Sequence, residues 1–193
     1  MILALDFETS GLDPQRNAPI SLGIAVMDGS EIVDRQEWII GPTHHWKTGK
    51  VERSYEIAAL EVSGITWCRI KKAPHPKTVL REVADFISKN DARRLPIVAF
   101  NAAFDHSFWS TLLNLGGDWH PSKKGVWQQP KSPLLGGWVC ARELAKEYLT
   151  LDNYSLNDVA GAMQMARSSD LHGALEDAIL AGQIYHQFER ANQ

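Results

Sequence analysis

The stretch Ile2-Leu3-Ala4-Leu5-Asp6-Phe7-Glu8-Thr9-Ser10-Gly11-Leu12 places two carboxylates inside an otherwise apolar run. The run reads as a buried strand. Successive strand side chains alternate between faces, so Asp6 and Glu8 project to the same side. Two like charges held there repel and lose hydration unless a cation joins them, and a divalent metal ion would supply one. A second reading is open at this point: the strand ends earlier, and both residues sit in a solvated turn closing at Gly11.

The segments that follow set the architecture. Ile20 to Met27 and Glu31 to Ile40 are apolar and β-branched and are joined by Asp28-Gly29, a dipeptide suited to a tight hairpin turn. With the first strand they predict a three-stranded antiparallel meander. Residues 41 to 50 read as a loop, and Tyr55 to Leu60 as a short helix. Pro74 and Pro76 read as an interruption. Val79, Leu80, Val83, Phe86 and Ile87 then recur at helical spacing, which predicts an amphipathic helix over Thr78 to Ser88. Pro96 to Phe100 reads as a short buried strand. A helix follows from Asn101 through Leu115, ended by Gly116 and Gly117. Trp138 to Cys140 reads as a last strand, with helices over Ala141 to Leu149, Ser155 to Met165 and Leu171 to Arg190. Strands first, then alternating strand and helix, predict an α/β domain with a mixed sheet. Residues 1–193 are expected to form one domain, with a loop insertion at 116–137, where Gly, Pro, Lys and Trp are frequent.

A chain of 193 residues can bury roughly 70% of the surface its unfolded form exposes, enough for a single core. Its composition, 44% hydrophobic and 22% charged, is that of an ordinary globular protein. No stretch approaches the apolar length of a membrane span, and the amino terminus does not read as a secretion signal, so the expectation is a soluble, cytoplasmic protein. Cys68 and Cys140 are isolated, without the paired spacing of a zinc site or a disulfide framework. A net charge of -3 argues against broad wrapping of duplex nucleic acid, although Arg69, Lys71, Lys72 and Lys77 form one basic cluster and Lys123, Lys124 and Lys131 another.

Three further residues carry chemistry. Asp105 follows the strand at Phe100, in Asn101-Ala102-Ala103-Phe104-Asp105, where a carboxylate can point into a cleft at the carboxyl edge of a sheet. His172 and Asp177 lie in His172-Gly173-Ala174-Leu175-Glu176-Asp177, at the start of the last helix. Five residues on a helix rotate by about 140°, so both can face one site only if His172 precedes the regular helix. Glu176 competes with Asp177, since neighbours on a helix diverge by about 100° and only one can face the other carboxylates.

The set resembles the DEDDh family of 3′-to-5′ exonucleases, which includes proofreading subunits of bacterial replicative polymerases, ribonuclease T and oligoribonuclease. Its three motifs stand in order over nearly the whole chain, as Asp6 to Leu12, Asn101 to Asp105 and His172 to Ala178. Gly64-Ile65-Thr66 and Tyr154-Ser155-Leu156 fall at familiar spacings between them. The resemblance implies an RNase H-like fold: a mixed five-stranded sheet containing the antiparallel meander, flanked by helices. It also implies two divalent metal ions, Mg²⁺ or Mn²⁺, acting on phosphodiester bonds at the 3′ ends of single-stranded DNA or RNA to release nucleoside 5′-monophosphates. Asp6, Glu8 and Asp177 would hold the ion that activates water, with Asp6 bridging to the second ion and Asp105 contributing directly or through water. His172 would be the general base. Thr9 and Leu12 would hold the terminal nucleotide.

Asn101 and Phe104 would line the same pocket, although Asn101 reads equally as a helix cap and Phe104 as core. Phe100 stands where many relatives carry His, and Cys140 where they often carry Asp. Trp119 and Trp127 are placed either to stack on bases or to pack the insertion, and packing is the simpler reading. His44, His45 and His106 read as surface residues or residues behind the site. Possible partners are a polymerase or a second copy of the chain. The alternative reading is a catalytically silent nuclease-fold module that binds nucleic acid or a partner protein. A lost carboxylate or His is the usual sign of such a module, and all five residues are present.

Overall fold

Alternation along the first strand, β1 (Ile2–Thr9), divides the molecule into two layers of core. The computed structural model describes residues 1–45, 47–118, 120–121, 127–128, 130–165 and 173–191. Leu3, Leu5 and Phe7 project to one face of the sheet, where they pack with Val79, Val83, Phe108 and Leu112. Ile2 and Ala4 project to the other, against Ala178, Ala181 and Ile184. Each fully buried Leu or Ile in these layers contributes about 1.5–3 kcal/mol of burial free energy.

β1 is followed by β2 (Pro19–Asp28) and β3 (Glu31–Ile39), which close the expected meander. β2 is buried along nearly its whole length because helices cover both faces, which is why it reads as a continuous apolar run rather than an alternating one. β3 lies at the edge and alternates toward solvent. Helices α1 (Ile57–Ser63), α2 (Trp67–Lys72) and α3 (Pro76–Lys89) come next, then β4 (Ile97–Ala99) and α4 (Ala102–Gly116). A two-stranded ribbon, β5 (His120–Pro121) with β6 (Trp127–Gln128), lies within the stretch read as a loop. The chain continues through β7 (Trp138–Cys140), α5 (Ala141–Tyr148), α6 (Leu156–Ala162) and α7 (Ala174–Ala191).

The main sheet has five strands in the order β3-β2-β1-β4-β7. β1, β2 and β3 pair antiparallel, whereas β4 runs parallel to both β1 and β7. This is the mixed RNase H-like sheet expected from the sequence.

Four local expectations need correction. Asp6 and Glu8 lie inside β1, paired with Gly23 and Ser21, so the solvated-turn reading falls. Pro76 does not interrupt but begins α3: His75 precedes it as N-cap, its ring accepting from the Lys77 N–H, and a proline in the first turn forfeits no helical hydrogen bond. α2 was not expected. Six residues are too few to show a period, and it depends on a cap, Thr66, whose side chain accepts from the Arg69 N–H. α6 ends at Ala162, before the expected Met165, as the backbone turns to a positive φ at Gln164.

Candidate active site

The even-numbered face of β1 changes character along its length. Ile2 and Ala4 are covered by the apolar side of α7, and the next two residues on that face are Asp6 and Glu8. The amino-terminal turn of α7 arrives there because β2 carries glycine opposite Asp6. A Cβ on Gly23 would lie 2.3 Å from the Ala174 carbonyl carbon and the Leu175 nitrogen, so no other residue allows this approach. Asp177, in the first turn of α7 and only 5% exposed, is thereby brought to the strand. Ligand oxygens of Asp6, Glu8 and Asp177 all lie within 4.8 Å of one another. The helix amino terminus favours a carboxylate at Asp177, yet three such groups at this range repel. A set made of carboxylate oxygens alone suits a hard divalent cation such as Mg²⁺ or Mn²⁺ rather than zinc or copper. Glu176, one residue earlier, is not part of this group.

Asp105 stands beside the three rather than among them. It lies in the first turn of α4, is 2% exposed, and its Oδ1 accepts the Phe7 N–H at 3.2 Å. β4 pairs with β1 only at Leu3 and Ala4, so Asp105 supplies an acceptor that the sheet does not provide farther along. Burial pushes its carboxyl up to about 7, against the opposing effect of backbone N–H bonds from Phe7, Asp105 and Asn101. The Asp105 carboxylate thus grips the backbone between Asp6 and Glu8.

The other sequence candidates fall into place around this group. Thr9 Oγ1 donates to the Gly11 carbonyl at 2.8 Å, turning the chain out of β1. Leu12, 80% exposed, stands on the loop that follows. Asn101 occupies the N-cap position of α4 but its side chain makes no cap bond; its carbonyl accepts from Phe104 and Asp105. Phe104 is half-buried, with its ring 4.9 Å from that of Phe108 and packed against the core. His172 and Trp119 lie outside the described residues, as do Lys123, Lys124 and the side chain of Trp127. His44, His45 and His106 are exposed, and the His106 ring meets Trp138 edge-on at 5.1 Å. Cys140 Sγ donates to the Phe100 carbonyl at 3.3 Å.

Two residues that position the site escaped the sequence reading. Gly23 was detectable in principle, since glycine inside an apolar strand marks a close approach. Asn17 gave no signal. It is 1% exposed and knots the Leu12 loop: its amide nitrogen donates to the Ser10 and Ser54 carbonyls and to Glu56, and its Oδ1 accepts the Asp13 N–H at 3.0 Å. Gly11 passes beneath it at φ +152, where a Cβ would come within 2.4 Å of the Asn17 amide. Arg53 and Thr111 tie the far side of the loop through the Pro14 carbonyl.

Residues 3–185 match the family model for exonucleases of the RNase T type. The chain belongs to the RNase T exonuclease family. It is 31% identical over 187 residues to the PolC-type DNA polymerase III of Thermotoga maritima, a match that takes in 96% of this chain and 12% of the polymerase. It is 26% identical over 184 residues to the DNA polymerase III epsilon subunit of Rickettsia prowazekii, covering 95% of this chain and 71% of the subunit. The nuclease domain of 3′hExo, a DEDDh family member solved with rAMP, superposes with a TM-score of 0.73 at 15% identity, over 98% of this chain and 92% of that domain. This last likeness establishes the fold. The matched family is one of exonucleases, and the acidic group of Asp6, Glu8 and Asp177 is an oxygen-only donor set suited to a divalent metal ion. Among the described residues no helix is long and apolar enough to cross a membrane.

Proposed function

We propose that residues 1–193 form one exonuclease domain that removes nucleotides singly from the 3′ ends of single-stranded DNA or RNA, releasing nucleoside 5′-monophosphates. The observation that carries this reading is the convergence of Asp6, Glu8 and Asp177 from two separate elements to within 4.8 Å. These residues would hold one Mg²⁺ or Mn²⁺, Asp6 would share a second, and Asp105 would reach the second directly or through water. Two ions held by these carboxylates would supply charge neutralisation at the phosphoryl oxygens and an activated water. His172 takes the proton of the attacking water, for which a neutral imidazole near pH 7 is suited. Leu12, exposed on a loop fastened by Asn17, packs against the terminal bases, while Thr9, Asn101 and Phe104 border the nucleotide.

The work is cytoplasmic, and the similarity to polymerase III chains supports association with a polymerase. The residues 116–137 adapt the substrate cleft. The rival reading, a silent nuclease-fold module, lacks support in the residues, since Asp6, Glu8, Asp105, His172 and Asp177 are all present.

The test is digestion of matched 5′-labelled single-stranded DNA, duplex DNA and RNA with Mg²⁺ or Mn²⁺, beside an Asp105→Ala control. A ladder shortening from the 3′ end supports the proposal. Equal activity in the control assigns the cleavage to another site.

A further inference from the structure

On the face of the sheet opposite the carboxylates, an open groove of about 680 Å³ runs between α3 and the segment 130–133. One wall is a stripe of α3, from Lys77 through Arg81 and Ala84 to Ser88, about 17 Å long at the helical rise, with Asp91 just beyond the helix end. The other wall is a built structure. Trp109 Nε1 donates to Ser132 Oγ at 3.1 Å, Ser132 Oγ accepts the Leu134 N–H, and Leu134 is buried. Leu80, Ala84, Ile87 and Leu113 make an apolar floor. Arg81, Arg93 and Lys131 are exposed along its margins, and none of the three pairs with a carboxylate among the described residues. Lys77 is already matched by Asp118.

We propose that this groove docks a short acidic segment of a partner protein, with apolar side chains on the floor and carboxylates against Arg81, Arg93 and Lys131. Its length fits about five residues of extended chain. With Lys77 matched by Asp118, the remaining charges of the lining are Arg81, Arg93 and Lys131 against Asp91, a positive excess that favours an acidic occupant, and the apolar floor selects side chains rather than phosphates. Binding of single-stranded nucleic acid draws on aromatic stacking, and no aromatic side chain lines the groove among the described residues. The groove also lies at the carboxyl end of α4, about 17 Å along that helix from Asp105, and across the sheet from Asp6, Glu8 and Asp177. The proposal is independent of which polymer the enzyme cuts.

The experiment selects nine-residue peptides from a displayed random library on the full chain, with counter-selection on Arg81→Glu/Arg93→Glu. The leading peptide is then measured by fluorescence anisotropy against the parent, the double variant, Arg81→Gln/Arg93→Gln and Ala84→Trp, which fills the floor. The recovered peptides are expected to be net negative and to carry Leu, Ile or Phe. Affinity is expected to fall about tenfold or more in the Glu variant, less in the Gln variant, and again in Ala84→Trp, with circular dichroism and nuclease activity unchanged in the two charge variants. The proposal is overturned if no peptide distinguishes parent from double variant, or if the peptides show no acidic bias. It is also overturned if the double variant instead loses affinity for labelled single-stranded oligo(dT), which would make the groove a nucleic-acid path.

Discussion

Asp105→Asn should make the metal-free protein more stable at alkaline pH. The carboxyl group is 2% exposed and accepts the Phe7 N–H across the fold, a bond that an Asn Oδ1 accepts equally well. Burial raises its pKa from 3.8 to about 7 in the folded chain. Below about pH 4 both folded and unfolded chains carry the proton and the residue is neutral in its effect. Between about 4 and 7 the folded chain keeps a proton that the unfolded chain has released. Stability therefore falls as pH rises, by about 1.4 kcal/mol per pH unit, toward a total cost of about 4 kcal/mol above pH 7. Asn does not titrate, so the variant escapes this loss. Urea melts in a chelator should show the stability difference between variant and parent widening by about 3 kcal/mol from pH 5 to pH 8. With Mn²⁺ present the gap should shrink or invert, because only the parent offers the fourth carboxylate. A difference that stays constant across this pH range would refute the reasoning, since it would mean that ionised Asp105 is not penalised by burial.

Other outcomes follow from the same geometry. Gly23→Ala inserts a Cβ 2.3 Å from the α7 backbone, and should cost about 1–3 kcal/mol as an overpacked contact while displacing Asp177; unchanged urea stability together with unchanged metal-dependent hydrolysis would contradict this. Saturating Mn²⁺, at about 100 times its dissociation constant, should stabilise the parent by about 3 kcal/mol. That shift should vanish in Asp177→Asn and persist in Glu176→Gln, as read by thermal unfolding. Asn17→Ala removes a buried amide that holds the Leu12 loop and should cost about 1–3 kcal/mol, with KM for a single-stranded oligonucleotide rising more than kcat falls. Leu12→Ala, at a position 80% exposed, should leave stability within about 0.5 kcal/mol yet raise the same KM; parallel loss of stability would assign Leu12 to packing instead.

Much of the architecture was readable along the chain because it is written in local periods. β1 to β3 announce themselves through apolar runs bounded by Asp28-Gly29, and α3 through its spacing of Val79, Leu80, Val83, Phe86 and Ile87. α2 was not readable, since a six-residue helix has no period to display and depends on the Thr66 cap. Nor was the ribbon of β5 and β6, two residues to a strand. Pro76 misled because proline interrupts a helix from within but begins one at its first turn, and only the His75 cap distinguishes the two.

By itself the sequence determined the residue types of the site and the face of β1 on which Asp6 and Glu8 lie, since alternation is a property of any strand. Which carboxylates meet was decided by tertiary structure. Asp177 reaches Asp6 and Glu8 because Gly23 lets α7 settle onto β2, whereas Asp105, buried at the start of α4, turns to the Phe7 N–H that β4 leaves without a sheet partner. Both outcomes depend on close packing between segments far apart in the chain. That packing is a matter of volume and hydrogen-bond completion, which no local period encodes.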